Sequence, residues 1–251
     1  MKIGIIGGSG LDDPDIIKDL QGLEHTTPYG KAALKSGKLY NVEIVFVARH
    51  GDNHQFSPTH VNYRANIRAL KDLNVTHILA TNACGSLREE IGRGDFIIPD
   101  QFIDFTKHRI NTFHDDFSMG MHHEVMADPF DKYLSDLLFS VARDSGFRIH
   151  KGKTLITIEG PRFSTRAESK MFINWGADII NMTVATEASL AKEAMIPYAV
   201  IAMSTDYDCW KEDEEMPRWE DILAVFNKNV DNVKKILLET IKRLSIPKGA
   251  K

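Results

Sequence analysis

Cysteine is scarce in this chain: 251 residues hold two, Cys84 and Cys209. That is too few for a disulfide framework and suits a reducing compartment, so a cytoplasmic protein is expected. Each thiol adjoins a polar cluster and is either reactive or, as free cysteines commonly are, a small buried hydrophobe. Basic excess is missing too: 31 Lys and Arg stand against 35 Asp and Glu, for a formal charge of −4. Nucleic-acid binding through a basic stripe is not expected. An anionic ligand would need positive charge supplied locally. No apolar run approaches the roughly 18 residues that cross a bilayer. The start, Met1-Lys2-Ile3-Gly4, has no charged-then-apolar leader. No membrane partner is expected. Repeats, low-complexity tracts and Pro/Gly/Ser-rich linkers are absent, so residues 1–251 are expected to form a single domain. A chain of this length can bury a core without staples.

What is present is an alternation of short apolar strands and longer amphipathic segments. Lys2 to Gly7 reads as a buried strand, and Ala33–Lys38 with Val42–Ala48 as a hairpin around Tyr40-Asn41. Ser57-Pro58 reads as an N-cap with Pro at the first helical position, opening a helix to about Leu73. Strands are predicted near 76–82 and 94–103, and a helix over 130–145 ending near Gly146. Thr165-Arg166-Ala167-Glu168 is a capping box, with Gly176 placed to end that helix. Thr186 is read as the cap of another short helix. From Pro217 to Leu244 apolar residues recur at helical spacing. The segment from Phe105 to His123 is polar, His-rich and aperiodic, and loops of that length are often functional. Strand–helix alternation implies an α/β fold with a largely parallel sheet covered by helices.

Polar clusters stand where the strands end. They are Gly7-Gly8-Ser9-Gly10, Arg49 to His54, Thr81 to Ser86, Glu159 to Ser164, Asn181-Met182-Thr183 and Thr205-Asp206-Tyr207-Asp208. Ligands of α/β sheets bind beyond the carboxyl ends of the strands, so these clusters suggest one composite site. The first glycine cluster is neither a dinucleotide fingerprint, since position 6 is Ile, nor a Walker loop. It is a tight turn or a nest of N–H groups suited to phosphate. Arg49 is a natural fixed donor to a phosphate oxygen. His50, Asp52, His54 and His60 are metal donor types, yet they lack a helical His-x-x-x-His frame; surface histidines are the plainer alternative. Small residues in Asn82-Ala83-Cys84-Gly85 let the backbone approach a ligand. Thr183 and Thr205 add hydroxyls. Asp206 and Asp208 are paired acids, of which one held protonated could do general-acid work; a solvated turn is the alternative.

In order, these clusters resemble the trimeric purine nucleoside phosphorylase family, and within it the methylthioadenosine phosphorylase branch. The similarity runs from residue 3 to about 240 and includes Gly4 to Asp13, Ala48 to Gly51, Ala83 to Glu90, Glu159 to Ser164, Asn181 to Thr183 and Thr205 to Trp210. It implies a nucleoside phosphorylase-like fold: one α/β domain with a mixed, mostly parallel central sheet flanked by helices. It implies phosphate-dependent cleavage of 5′-methylthioadenosine to adenine and 5-methylthioribose 1-phosphate. Alternatives are a broader phosphorylase of adenosine or 6-oxopurine nucleosides and, from another class, a metal-dependent hydrolase. Ser9, Arg49, His50, Asn82, Ala83 and Thr183 would hold inorganic phosphate, a co-substrate. Met182 would contact the ribose, with His54 near the sugar. Phe163 would stack on the base, Ser164, Asp206 and Asp208 would bind its edge, and Asp206 would be the acid. Trp219 and Ile222 would line the 5′ pocket, with His123 reaching a neighbouring subunit's ligand. No cofactor and no metal are implied; a homotrimer is, with a dimer of trimers as the larger alternative. Three departures are visible. Val184-Ala185-Thr186 replaces the usual segment carrying Val-Pro, Trp219 replaces a smaller aliphatic residue, and the chain ends at Lys251, short of the longer tail of animal members.

Overall fold

The computed structural model describes residues 1–8, 17–118, 120–213 and 219–246, without the side chains of Trp219, Ile222, Leu223 and Phe226. Ser9 therefore lies outside the described residues, as do the side chains of the two predicted 5′-pocket residues, Trp219 and Ile222.

Among the described residues nine strands form one mixed sheet. β1 (Lys2–Gly7) runs parallel to β4 (Val42–Ala48) on one side and to β5 (His77–Ser86) on the other. β2 (Lys18–Thr27) and β3 (Gly30–Leu39) extend the β4 side as antiparallel neighbours. Beyond β5 the sheet closes on itself. β5 pairs with β9 (Tyr198–Asp206), β9 with β6 (Phe96–Phe105), β6 with β7 (Ile149–Ile158), β7 with β8 (Ile179–Asn181), and β8 returns to β5. β1, β4, β5 and β9 all run the same way, so their carboxyl ends share one rim. β8 crosses the tip of β5 antiparallel, with Ile180 opposite Gly85. That crossing lays Asn181 to Thr183 over the same rim.

Alternation of side chains along a strand divides the core into two layers. Ile3 and Ile5 of β1, with Val42, Ile44 and Phe46 of β4, face α2 (Lys132–Asp144) and α5 (Trp219–Ser245), whose Leu134, Leu138, Ile236 and Ile241 complete that layer. Ile6, Val45 and Val47 face α1 (Tyr63–Asp72) and α4 (Val184–Glu193), with Ile67, Leu70 and Leu190. A third cluster sits under α3 (Arg166–Asn174), around Phe172, Ile156 and Ile180. Each such aliphatic side chain contributes about 1.5–3 kcal/mol when fully buried.

Several boundaries differ from the sequence-based expectation. The helix predicted from Ser57 begins later. Ser57-Pro58 opens only a 3-10 turn, with no side-chain cap bond, whereas Asn62 caps α1 by accepting from the Ala65 N–H. Thr186 is no cap; it lies buried in the first turn of α4, which Thr183 precedes. β2 escaped prediction because its alternating exposure leaves little apolar signal. The Thr165–Glu168 capping box and the left-handed Gly176 after α3 are as read. Among the described residues the polar segment after β6 carries no helix or strand, yet it is strapped down. Arg109 bonds Glu159, Glu193 accepts from Thr112 and the Phe113 N–H, and Arg64 pairs with Asp115.

Candidate active site

Two polar clusters meet on the rim. The first is built around Arg49, the residue after β4. Its guanidinium is buried and forms a two-pronged ion pair with Glu187 of α4, with Nη2 3.0 Å from Oε2 and Nε on Oε1. A third N–H donates to the Thr81 carbonyl at 3.0 Å. Tyr198 Oη donates to Glu187 at 2.9 Å, so the carboxylate is fixed from a second side. Burial works against the charge on Arg49, but Glu187 holds its pKa above the usual arginine value. An arginine fork has five N–H groups, and this set uses three. Among the described residues the other two have no hydrogen-bond partner.

Next to it, Asn82 Nδ2 donates to Thr183 Oγ1 at 2.9 Å and joins β5 to the start of α4. Among the described residues Asn82 Oδ1 is buried without a partner; reversing the amide leaves the other end unpaired instead. Ala83 is exposed between half-buried Asn82 and buried Cys84, so the chain is open to a ligand there. Asn181 Oδ1 accepts from the Thr183 and Val184 N–H groups and from Thr157 Oγ1, anchoring the turn that presents Thr183. His50 follows Arg49, and its ring stacks on that of His54 with centroids 4.8 Å apart. His50 Nδ1 faces the Phe56 carbonyl at 2.8 Å. A carbonyl only accepts, so Nδ1 carries the hydrogen and Nε2 is left as an acceptor. Burial, helped by Arg49, lowers the His50 pKa to about 4, so the ring is neutral near pH 7.

The second cluster lies at the end of β9. Asp206 and Asp208 are both buried. Asp206 Oδ1 meets Thr205 Oγ1 at 2.7 Å, and Oδ2 accepts from the Asp208 N–H at 2.9 Å. Ser164 Oγ lies 2.7 and 2.6 Å from the two oxygens of Asp208. Burial raises the Asp206 pKa above its ordinary value, against the bonds from Thr205 and Asp208, with the Asp208 charge adding to the rise. A carboxyl so placed is suited to hold and give a proton. Gly85 keeps this corner uncrowded: a Cβ would lie 3.0 Å from Ile180 Cγ2 and 3.2 Å from Asp206 Oδ2. Cys84 is buried and its thiol is pushed well above its usual pKa, chiefly by burial and then by Asp206. Cys209 is buried as well, with its Sγ on the Ser164 carbonyl.

Phe163 precedes Ser164 and leaves half its surface exposed, at 51%. That is an available stacking face. Met182 packs partly buried against the α3 cluster. His123 is exposed, edge-on to Phe117. Among the described residues, no group of His, Cys, Asp and Glu converges as a metal site would require; His60 bonds Ser57 instead. A cleft of about 180 Å³, whose lining includes Phe105, Lys107, His108, Glu159, Arg162 and Glu168, holds none of Arg49, Asn82, Ser164, Thr183, Asp206 and Asp208.

Sequence reasoning missed Glu187 and Tyr198, and it gave no role to Asn181 or Glu159, although both stand in the strand-end clusters. Glu187 had a readable signal: it is a lone acid amid the small and apolar residues of Val184 to Ala191. An acid on a packed helix face needs a buried cation. Glu159 holds the strap, accepting from the Lys107 and His108 N–H groups and from Arg109. Burial would raise its pKa, but these three together bring it down to about 2.

Residues 2–242 match the phosphorylase superfamily, and the chain belongs to that family. Within it, the chain is similar to proteins named as methylthioadenosine phosphorylases. It is 51% identical over 249 residues to the S-methyl-5′-thioadenosine phosphorylase of Danio rerio, a match covering 97% of this chain and 89% of that one. A Schistosoma mansoni methylthioadenosine phosphorylase bound to adenine superposes with a TM-score of 0.90 at 43% identity, covering 97% of this chain and 92% of that one. A serine-to-threonine variant of the schistosome adenosine/methylthioadenosine phosphorylase, bound to methylthioadenosine, superposes at 0.89 with 42% identity and covers 97% and 91%.

Proposed function

We propose that this chain catalyses phosphate-dependent cleavage of 5′-methylthioadenosine to adenine and 5-methylthioribose 1-phosphate. The observation that carries the reading is the buried chain Ser164–Asp208–Asp206–Thr205, in which one carboxyl is pressed toward its protonated form beside a second that accepts hydrogen bonds.

The chemistry follows from the residue types. Phosphate attacks the anomeric carbon while the purine leaves, through a state with oxocarbenium character. A purine leaves poorly as an anion, so Asp206 donates a proton to N7. Asp208, held by Ser164, accepts from the 6-amino group. Phe163 stacks on the base, the Met182 backbone meets the ribose, and His54 lies beside the sugar. Ser9, the two spare N–H groups of Arg49, His50, the Asn82-Ala83 backbone and Thr183 hold the phosphate. Neutral His50 presents Nε2 as an acceptor, which suits the P–O–H of a hydrogen phosphate dianion. The dianion stabilises the positive charge that develops on the sugar. Trp219 and Ile222 line the 5′ pocket. The reaction needs no cofactor and no metal.

The working enzyme is read as a cytoplasmic homotrimer, with a dimer of trimers as the larger alternative. His123 reaches a neighbour's ligand. Exposed Ile110, Phe117, Met121 and Val125 on the strap support burial against another copy. The deciding experiment is a nucleoside panel with and without phosphate, with products identified by mass. Methylthioadenosine turnover that requires phosphate and survives a chelator fits the reading. Turnover unaffected by phosphate removal would mean a hydrolase, and inosine ahead of both adenine nucleosides would mean the broader phosphorylase.

A further inference from the structure

Thr205 holds a place that regular strand geometry does not provide. In the β5–β9 pair Cys84 faces Ser204 and Gly85 faces Asp206, so Thr205 is the extra residue of a bulge. Bulges re-aim side chains off the strand's alternation. Here the bulge sets Thr205 Oγ1 2.7 Å from Asp206 Oδ1 and 3.2 Å from the Cys84 carbonyl. A hydroxyl has one proton and serves one of these acceptors at a time. Oδ2 is different: it faces the Asp208 N–H, a donor that cannot turn away. Of the two carboxyl oxygens, only Oδ1 can gain a proton without stranding a donor.

We propose that Thr205 is a positioning residue for proton delivery by Asp206: its hydroxyl donates to the Cys84 carbonyl while Oδ1 is protonated, and swings to Oδ1 as the proton leaves. This rests on the reading of Asp206 as the acid. The Oδ1 proton goes to N7 of the base, and the electron pair of the glycosidic bond goes into the purine. A phosphate oxygen forms the new bond to the anomeric carbon. The carboxylate left behind accepts from Thr205 and from the Asp208 N–H. The Thr205 bond forms only as negative charge develops on Asp206, so it stabilises the transition state rather than the ground state. Among the described residues, the titratable and charged groups around Asp206 are Asp208 on its own loop, the Cys84 thiol on β5 and Arg93 between β5 and β6. Asp208 favours the protonated carboxyl and Arg93 the ionised one.

The test compares Thr205→Val, Thr205→Ser and Asp206→Asn in the intact enzyme, reading kcat, nucleoside KM and the pH profile of kcat. Thr205→Val should lower kcat by about ten- to a hundredfold, the worth of one hydrogen bond to a charged group, with nucleoside KM within about threefold. Its alkaline limb of kcat should move to higher pH, because the carboxylate has lost a donor. Thr205→Ser should restore both the rate and the limb. If Thr205→Val does not fold, Thr205→Ala takes its place in the comparison. Parental kcat and an unmoved limb without the hydroxyl would overturn the proposal. So would a loss of rate with an unmoved limb that serine does not rescue, since that is a packing role. Asp206→Asn separates the two levels: full activity there removes the acid itself, whereas an inactive Asp206→Asn beside a parental Thr205→Val removes only Thr205.

Discussion

Arg49 and Glu187 are 138 positions apart and form a buried two-pronged ion pair that ties the end of β4 to the first turn of α4. The pair also fixes the guanidinium, since Glu187 takes the Nε and Nη2 edge and the Thr81 carbonyl takes Nη1. A buried ion pair is weak evidence for net stability, but breaking one strands a charge.

Glu187→Ala should therefore destabilise the fold by about 3–5 kcal/mol, measured by urea unfolding at pH 7. Replacing both partners with apolar residues of similar size, Arg49→Met with Glu187→Leu, should cost less than Glu187→Ala alone. Arg49→Ala by itself should raise the phosphate KM strongly, by about ten- to a hundredfold for a lost charge-assisted bond, with nucleoside KM changed less. Unchanged phosphate dependence would remove Arg49 from the anion site.

His50 makes the fold sensitive to acid. Its pKa falls from 6.5 to about 4 on folding, because burial and Arg49 disfavour the charged ring. A folded-state pKa below the unfolded value means that the unfolded chain binds the proton first as pH drops. The contribution is complete above the unfolded value and is lost from about pH 6.5 down toward pH 4. His50→Gln should lose less stability than the parent between pH 7 and pH 5, as read by Tm at each pH. Equal acid losses in both proteins would show that the ring is not held neutral by folding.

Much of this site could be read from sequence because strand ends announce themselves. The runs before Arg49, Thr81 and Thr205 are apolar, and each stops on polar residues. What could not be read was pairing across distance. Nothing near Asn82 signals Thr183, and nothing near Ser164 signals Asp208; the crossing of β8 over β5 and the loop after β9 bring them together. The helix start at Asn62 was missed because Ser57-Pro58 is the stronger local signal, and the chain uses it for a 3-10 turn. The bulge at Thr205 exists only in the register between two strands and has no local signature.

His123 provides a test of the assembly. It is exposed and edge-on to Phe117, and among the described residues no part of the rim is bonded to it. If it completes a neighbour's site, His123→Ala and Asp206→Ala subunits should each be poorly active alone. Mixed under conditions that allow subunit exchange, they should recover activity, since some sites would then combine an intact His123 with an intact Asp206. Absence of recovery, with exchange demonstrated by native mass spectrometry, would make each subunit self-contained.

Base choice follows most directly from the geometry. A 6-aminopurine presents an N–H donor at C6 and an acceptor at N7, whereas a 6-oxopurine presents an acceptor at C6. On the proposed function, Asp208, supported by the Ser164 hydroxyl, would accept from the amino group and repel an oxo oxygen. Asp206, pressed toward its protonated form mainly by burial, would donate to N7. A site built on hydrogen bonds can reject the wrong edge by roughly 10⁴-fold. Methylthioadenosine and adenosine should therefore be cleaved well ahead of inosine and guanosine. Asp206→Asn with Asp208→Val should move preference toward 6-oxopurines: an asparagine amide can accept from or donate to the new edge, and valine removes the repulsion. Total rate should fall, because no acid remains at N7. A buried carboxyl whose pKa is raised by folding destabilises the fold as pH rises through and above its unfolded value, so Asp206→Asn alone should raise Tm more at neutral pH than at a pH below the ordinary carboxylate range. The measurements are kcat/KM for adenosine and inosine in both proteins, with Tm at the two pH values. A parent enzyme that prefers inosine would sink the adenine-site argument whatever the Tm values show.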